Sequence, residues 1–437
     1  MNQLKIRTEY TFRKTFAPLE RVVKRLKSDG AVFGCIMDRG NTYGHFRWQK
    51  LCDKHGIKPL FGVELGVCDD ATLREKVGLN YMGFIAKNNV GLQELYGLVT
   101  KATSAKNFYY EPRLSWDDVN EISENVFIFS GAYPDFEKLT SDEIIIDVSP
   151  STPHFLLDEE RFKVAVSDNY FIDETDRQAY ELLCWSNFDS KTTPMYLLDE
   201  FDWIRETGLD EVYIKNAEII GNLCNARIEP SKMLRYPELF YLEEVVFSSA
   251  LERGIDLSIP EYFVRIQNEL EVIRDKDFDD YFMIVKDLVD FAKPRMVVGA
   301  GRGSAAGSLV CYALGITEVD PIKHGLLFER FINPHRSDYP DIDIDMSDHR
   351  RHLAFDYLVD KYGAENVAHI GTILQWRTKS ALTTIGKTCG VSYKELEQVK
   401  EVEADNILEL MTTFTGHKFF EKYPVMKYAA EIENHAS

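Results

Sequence analysis

Residues 299–348 constrain this chain more than any other stretch, reading GAGRGSAAGSLVCYALGITEVDPIKHGLLFERFINPHRSDYPDIDIDMSD. The stretch opens on a glycine-serine loop that follows the short apolar strand candidate Met296–Val298. Glycines at 299, 301, 303 and 307 permit positive φ and close backbone approach. The next helix, expected to start near Ser304, would turn free N–H groups toward phosphate oxygens. No GK[ST] ends the loop, so it is not a Walker A motif, and its glycine spacing alone is a weak sign. A dinucleotide site needs an acidic residue ending a second strand about twenty residues on. Glu318 and Asp320 instead fall in the turn ITEVDP.

The far end of the stretch is more telling. PDIDID predicts a strand with Asp341, Asp343 and Asp345 on one face and Ile342 and Ile344 on the other. Three carboxylates on one face repel unless cations sit between them. Two divalent ions held there would serve phosphoryl transfer, and all-oxygen donors point to Mg2+. Arg330 and Arg336 either neutralise triphosphate charge or pair with Glu329 and Asp338.

At 437 residues the chain is expected to hold two or three domains. A net charge of -20 means that any grip on nucleic acid comes from local basic surfaces, metal ions or a partner. The 7 cysteines are scattered, with no CxxC pair, which argues against a zinc ribbon or a disulfide framework and fits a reducing cytoplasm. Neither an apolar leader nor a membrane-length apolar run is present, so the expected location is cytoplasmic.

The first 70 residues alternate strand-like and helix-like segments: LKIRT, APLERVVKRLKSDG, AVFGCIMD, FRWQKLCDKHG and KPLFGVELGV. This βαβαβ rhythm predicts a parallel layer. NYMGFIAKN, ENVFIFSG, EIIIDVS and FKVAVSDNYF continue it as strands, and DETDRQAYELLCWS as a helix. The proline-punctuated EPSKMLRYPELF marks a boundary, beyond which the chain reads as helical. Phe263, Ile266, Leu270 and Ile273 recur at helical spacing and are expected in a core.

LKIRTEYT, CIMDRGN, KPLFGVELGV, FIAKNNVGLQELYGLVT and VAVSDNYFIDETDRQAYELLCW resemble successive blocks of the PHP domain that heads bacterial C-family replicative polymerases. In metal-binding members, histidines and carboxylates at strand ends hold a cluster that activates water. The resemblance puts Lys5 and Arg7 at the HxH positions, Asp38 and Arg39 at the second pair, and Asn169 after Asp168 at the late histidine, while Glu64 survives. Lysine and arginine do not ligate cations, so no metal is expected in this domain and a phosphoesterase is the disfavoured reading. The positive groups are expected to replace the metal charge. His45, His55 and His154 are read as ordinary core or surface residues.

GRGS, LLFERF-NP and PDIDID in order, with DDYFMIVKDLVDFAK upstream, closely resemble the palm of the same polymerases, so the likeness covers essentially the whole chain. The resemblance implies an α/β multi-domain chain: a PHP-like (βα) barrel over 1–235, a polymerase beta-like nucleotidyltransferase palm over 236–371 and a helical partial thumb over 372–437. It assigns triphosphate binding to Gly303, Ser304, Arg330 and Arg336. It makes Asp341 and Asp343 the first two catalytic carboxylates and ligands of two Mg2+ ions, with Asp345 a neighbour. HRRHLAFDYLVDKYGAENVAHIGT is read as a helix and strand completing the palm sheet. Arg377, Lys379 and Lys387 suit a primer-template backbone, and read equally well as a solvated helix face.

The family's third catalytic aspartate and fingers would lie beyond Ser437. The expectation is therefore DNA-templated DNA polymerisation on primer-template and dNTPs, with either a carboxy-terminal polymerase portion supplied by another polypeptide or a truncated product. The alternatives are a non-catalytic scaffold holding a proofreading exonuclease, and a PHP-type phosphoesterase.

Overall fold

The computed structural model describes residues 1–184, 195–230, 235–333 and 339–436. It divides into two compact units, Met1–Glu229 with Thr372–Ser437, and Pro230–Gly371.

The first unit is built on a mixed sheet. Strands β1 (Gln3–Ile6), β2 (Phe33–Arg39) and β3 (Lys58–Cys68) run parallel, as the βαβαβ rhythm predicts. The helices Leu19–Ser28 and His45–His55 are their crossovers. Val22, Val23 and Leu26 from the first helix and Trp48 and Cys52 from the second are buried against the sheet. Gly56, in the left-handed region at φ 70, ends the second helix.

The expected parallel order stops there. β4 (Asn80–Ala86) pairs antiparallel with β3, and β6 (Val126–Phe129) antiparallel with β4, while β5 (Arg113–Ser115) lies parallel to β3. The reason lies in the link from Cys68 to Asn80, which carries no helix. A parallel return needs a crossover of about a dozen residues, usually helical. β7 (Ile146–Val148) and β8 (Lys163–Ala165) form a parallel pair, joined to β6 through a bridge between Phe129 and Ile145. Past β8, Ser167 donates to Gln3 Oε1 at 2.8 Å, linking the segment back to β1.

Residues 372–436 belong to this unit. Its helix Thr378–Thr388 buries Ala381, Leu382 and Ile385 in a cluster with Phe16, Phe171 and Tyr180. The ring of His435 stacks on Phe16 at 5.6 Å, and Trp376 N–H donates to His435 O.

Two buried histidines give this unit an acid-sensitive stability. Burial lowers His45 and His435 from 6.5 to about 4 in each case. The unfolded chain takes up protons near 6.5 and the folded one near 4, so stability falls as pH drops through that window. Each histidine contributes at most about 3 kcal/mol of this loss. His435→Leu removes one share: urea denaturation at pH 6.5 and at 4.5 should show wild type losing stability relative to the variant on acidification. A constant gap between the two proteins would refute the assignment.

The second unit is helical. Leu242–Glu252, Pro260–Asp275 and Asp279–Ala292 pack Val246, Ile266, Leu270, Ile273 and Phe282 into one core. Phe263 is 39% exposed and stacks on Phe247 instead of entering that core. Among the described residues no strand ladder forms here. Val298 and Met346 make an isolated antiparallel bridge, and residues 367–371, expected as a strand, are irregular.

Candidate functional site

The first unit gathers its charged strand-end residues into one buried cluster. The parallel register sets Arg39 beside Glu64, and β1 carries Lys5 and Arg7 toward the same place. Glu64 is 1% exposed and lies 2.6 Å from Arg7 Nη2, 2.7 Å from Arg39 Nε and 3.3 Å from Lys5 Nζ. Lys5 Nζ also lies 2.7 Å from Asp147 Oδ2 and 3.4 Å from Asp168 Oδ1, and Arg7 Nη1 is 2.7 Å from Asp168 Oδ1.

Three cations thus meet three carboxylates, and the cluster is neutral. Burial acts to raise the Glu64 carboxyl, but Arg39, then Arg7 and Lys5, outweigh it and hold the carboxyl well below its ordinary value. Burial acts to lower Lys5, yet Asp147, Asp168 and Glu64 together raise it. The Arg39 guanidinium lies 3.8 Å over the Tyr81 ring and that of Arg7 4.8 Å over Tyr170.

Asn169 has a different task. Its side chain accepts from Arg7 N at 3.0 Å and donates to Arg7 O at 3.0 Å, supplying the two bonds that a strand neighbour would give. Asp168 before it sits at φ 54, a left-handed conformation that aspartate tolerates better than most residues. Asp38 accepts from Thr8 N, Thr8 Oγ1 and Thr11 Oγ1 at 2.7 Å each. Burial pushes it up to about 6 against those bonds.

A cleft of about 820 Å³ opens over the cluster, lined by Lys5, Arg7, Lys14, Arg39, Glu64 and Tyr81 among others. The cluster presents one ammonium and two guanidinium groups, which donate hydrogen bonds and cannot ligate a cation. His45, buried, bonds Gly62 O at 3.0 Å, whereas His154 is exposed.

The second unit brings the glycine loop onto the aspartates. Gly299 N–H donates to Asp345 O at 2.9 Å and Ser347 N–H to Val297 O at 3.2 Å. A Cβ built on Gly303 would lie 3.0 Å from Asp343 Oδ2, and one on Gly299 3.0 Å from Asp345 Cβ. Gly303 is at φ 61 and Gly301 at φ 125, so this close approach uses conformations that side-chain-bearing residues resist.

Asp341, Asp343 and Asp345 are exposed and alternate with half-buried Ile342 and Ile344. The expected alternation of exposure is therefore present without the expected strand, because among the described residues the segment is tied to residues 297–299 at its end alone. Arg302 pairs with Asp345 at 3.3 Å, so Asp345 has a cationic neighbour of its own. Tyr281, from the helix Asp279–Ala292, lies beside Ile342, Asp341 and Asp343, and burial raises its hydroxyl.

The helix does not start at Ser304. A 3₁₀ turn covers Gly303–Gly307, and the α-helix runs over Leu309–Ala313 with Ser308 as its cap. Its first N–H groups are taken. Leu309 N and Val310 N each donate to the Glu269 carboxylate at 3.0 Å. Ser304 and Arg330 are exposed, Arg330 closing a 3₁₀ turn over Phe328–Arg330. Arg336 and Asp338 lie outside the described residues.

Arg377, Lys379 and Lys387 are exposed on or beside the helix Thr378–Thr388 of the first unit. Arg377 bonds Asn434 Oδ1 at 3.1 Å. The sequence reading missed Asp147, Tyr281 and Glu269. Glu269 had a signal, since it falls on the apolar face set by Ile266, Leu270 and Ile273.

Residues 3–139 match the PHP domain family, and residues 240–434 match the bacterial DNA polymerase III alpha NTPase domain. The two matches fall on separate stretches of the chain, one similar to a PHP domain and one to the polymerase NTPase domain. Over most of its length it is similar to bacterial DNA polymerase III alpha subunits. It is 26% identical to that of Aquifex aeolicus over 91% of this chain and 40% of the relative. It is 30% identical to that of Staphylococcus epidermidis RP62A over 91% and 38%, and 29% identical to that of Treponema pallidum over 92% and 39%. The chain therefore spans about 40% of the length of these relatives. An amidohydrolase structure from Chromobacterium violaceum overlaps 23% of this chain and 32% of its own at 14% identity and a TM-score of 0.19, too slight to carry an argument. Among the described residues no helix is long and apolar enough to cross a membrane.

Proposed function

We propose that this chain is the amino-terminal portion of a replicative DNA-templated DNA polymerase. In this reading the second unit receives the incoming dNTP, and the degenerate PHP-like domain is structural. The observation that supports it best is the approach of Gly303 to Asp343, within the stretch matched to the alpha NTPase domain. It brings a glycine-serine turn and exposed carboxylates to one place.

Gly303 and Ser304 would face the triphosphate through the backbone of the 3₁₀ turn. Arg330, and Arg336 by sequence, would offset its charge. Asp341 and Asp343 would hold divalent ions. Among the described residues no group of three or more His, Cys, Asp or Glu is placed to hold a metal by itself. Two carboxylates still fit Mg2+, which is commonly bound by one or two carboxylates together with substrate phosphates and water. Bound there, the ions would supply charge stabilisation to nucleotidyl transfer. Arg377, Lys379 and Lys387 would meet the primer-template backbone, and a polypeptide corresponding to the remaining length of the relatives would complete the enzyme.

The test is titration of Mg2+·dATP onto the purified chain, followed by primer extension with and without the remaining polymerase portion. Asp341→Ala and Asp343→Ala should each weaken Mg2+-dependent nucleotide binding at least about tenfold and abolish extension by the reconstituted enzyme. Unchanged affinity and extension would refute these carboxylates as the site.

A further inference from the structure

We propose that Glu269 and Arg265 form a positioning pair that holds the two halves of the nucleotide site in register. The inference rests on the reading of Gly303, Ser304 and Arg330 as triphosphate contacts.

Glu269 projects from the helix Pro260–Asp275 and is fully buried. Its Oε1 accepts from Arg265 Nε at 2.6 Å and Leu309 N at 3.0 Å. Its Oε2 accepts from Ser308 Oγ at 2.8 Å and Val310 N at 3.0 Å. Both oxygens are thereby saturated, three of the four bonds going to one end of the glycine loop. A buried carboxylate is costly unless paired and hydrogen-bonded, so this one is fixed in place by its partners.

Arg265 carries the connection further. Its Nη2 donates to Gly307 O at 2.8 Å and to Leu326 O at 3.2 Å. Gly307 belongs to the turn that holds Gly303 and Ser304, and Leu326 shortly precedes the turn that ends on Arg330. The two backbones run close: a Cβ on Gly307 would lie 2.7 Å from Leu327 O. One guanidinium thus bridges two segments that the sequence separates, and Glu269 holds that guanidinium. Neither residue is placed to touch a nucleotide. Their effect is on where the contacting groups stand.

The experiment compares Glu269→Gln and Arg265→Lys with wild type by amide hydrogen exchange without nucleotide, and by Mg2+·dATP titration. Glutamine cannot accept from all of the present donors, because its amide nitrogen is itself a donor. Lysine keeps a charge opposite Glu269 but lacks the fork that meets Glu269 through one nitrogen and the two carbonyls through another. Both variants should raise exchange in residues 301–308 and 326–330 together, and weaken nucleotide binding at least about tenfold in the folded chain. The double variant should be no worse than the poorer single one, because the two residues act as a unit. If Glu269→Gln fails to fold, Arg265→Lys carries the test. Exchange raised only over 308–310 would mean local capping and would overturn the proposal, as would wild-type nucleotide affinity in both variants. If wild type binds no Mg2+·dATP, the functional reading fails, while the exchange result still decides whether the pair couples the two segments.

Discussion

Glu64→Ala is expected to destabilise the first unit by about 3–5 kcal/mol, the range found when one partner of a buried ion pair is removed. The carboxylate it deletes lies against Arg7, Arg39 and Lys5, and all three would remain in a pocket where Arg7 and Lys5 are almost fully buried. Glu64 sits in the middle of β3, paired on both edges, so solvent can reach the orphaned cations only from the cleft side. A loss of that size is a large part of the roughly 5–15 kcal/mol that holds an ordinary domain together. Adding Arg7→Met to the variant should recover part of the loss by removing one orphaned cation, a non-additivity that urea denaturation would read directly. A loss below about 1 kcal/mol, the value of an exposed pair, would show that water reaches the cluster.

Gly131→Ala is the second large effect. Gly131 sits at φ 68, and a Cβ there would stand 2.1 Å from Tyr81 O. The left-handed backbone costs a side-chain-bearing residue about 1–2 kcal/mol, and overpacking against main chain typically adds about 1–3 kcal/mol. The site is also coupled to the ion cluster, because Gly131 N–H donates to Asp147 Oδ1 at 3.0 Å while Asp147 Oδ2 meets Lys5. A thermal midpoint several degrees lower is expected, with the shift reduced in an Asp147→Asn background where the anchor is already weakened. An unchanged midpoint would mean that the β4–β6 connection relaxes freely.

Local rules made much of this legible. The apolar runs and amphipathic helices of the first 70 residues fixed three strands and two crossovers, because their signals lie within each segment. That Lys5, Arg7, Arg39, Glu64 and Asp168 would share one place was implied by the PHP resemblance and by no local pattern. The place of Asp147 was not, since nothing in EIIIDVS says which neighbour its carboxylate will meet. The antiparallel return of β4 depended on a helix being absent after Cys68.

In the second unit the alternation of Asp341, Asp343 and Asp345 survived as exposure. A strand also needs a strand partner along its length, and among the described residues PDIDID meets one at Asp345. The misplaced helix start has a similar cause. Ser304 and Ser308 are equal as local caps, and the choice between them was made by Glu269, some forty residues earlier in the chain.

The division of the chain into units also bears on the order in which it can fold during synthesis. The second unit is one uninterrupted stretch, so every contact it needs is available once Gly371 has left the ribosome. The first unit is split across that stretch. Ala436 N–H bonds the Glu9 carboxylate and His435 stacks on Phe16, so these contacts of the first unit form only after residues 435 and 436 have been made. The part that begins first is completed last.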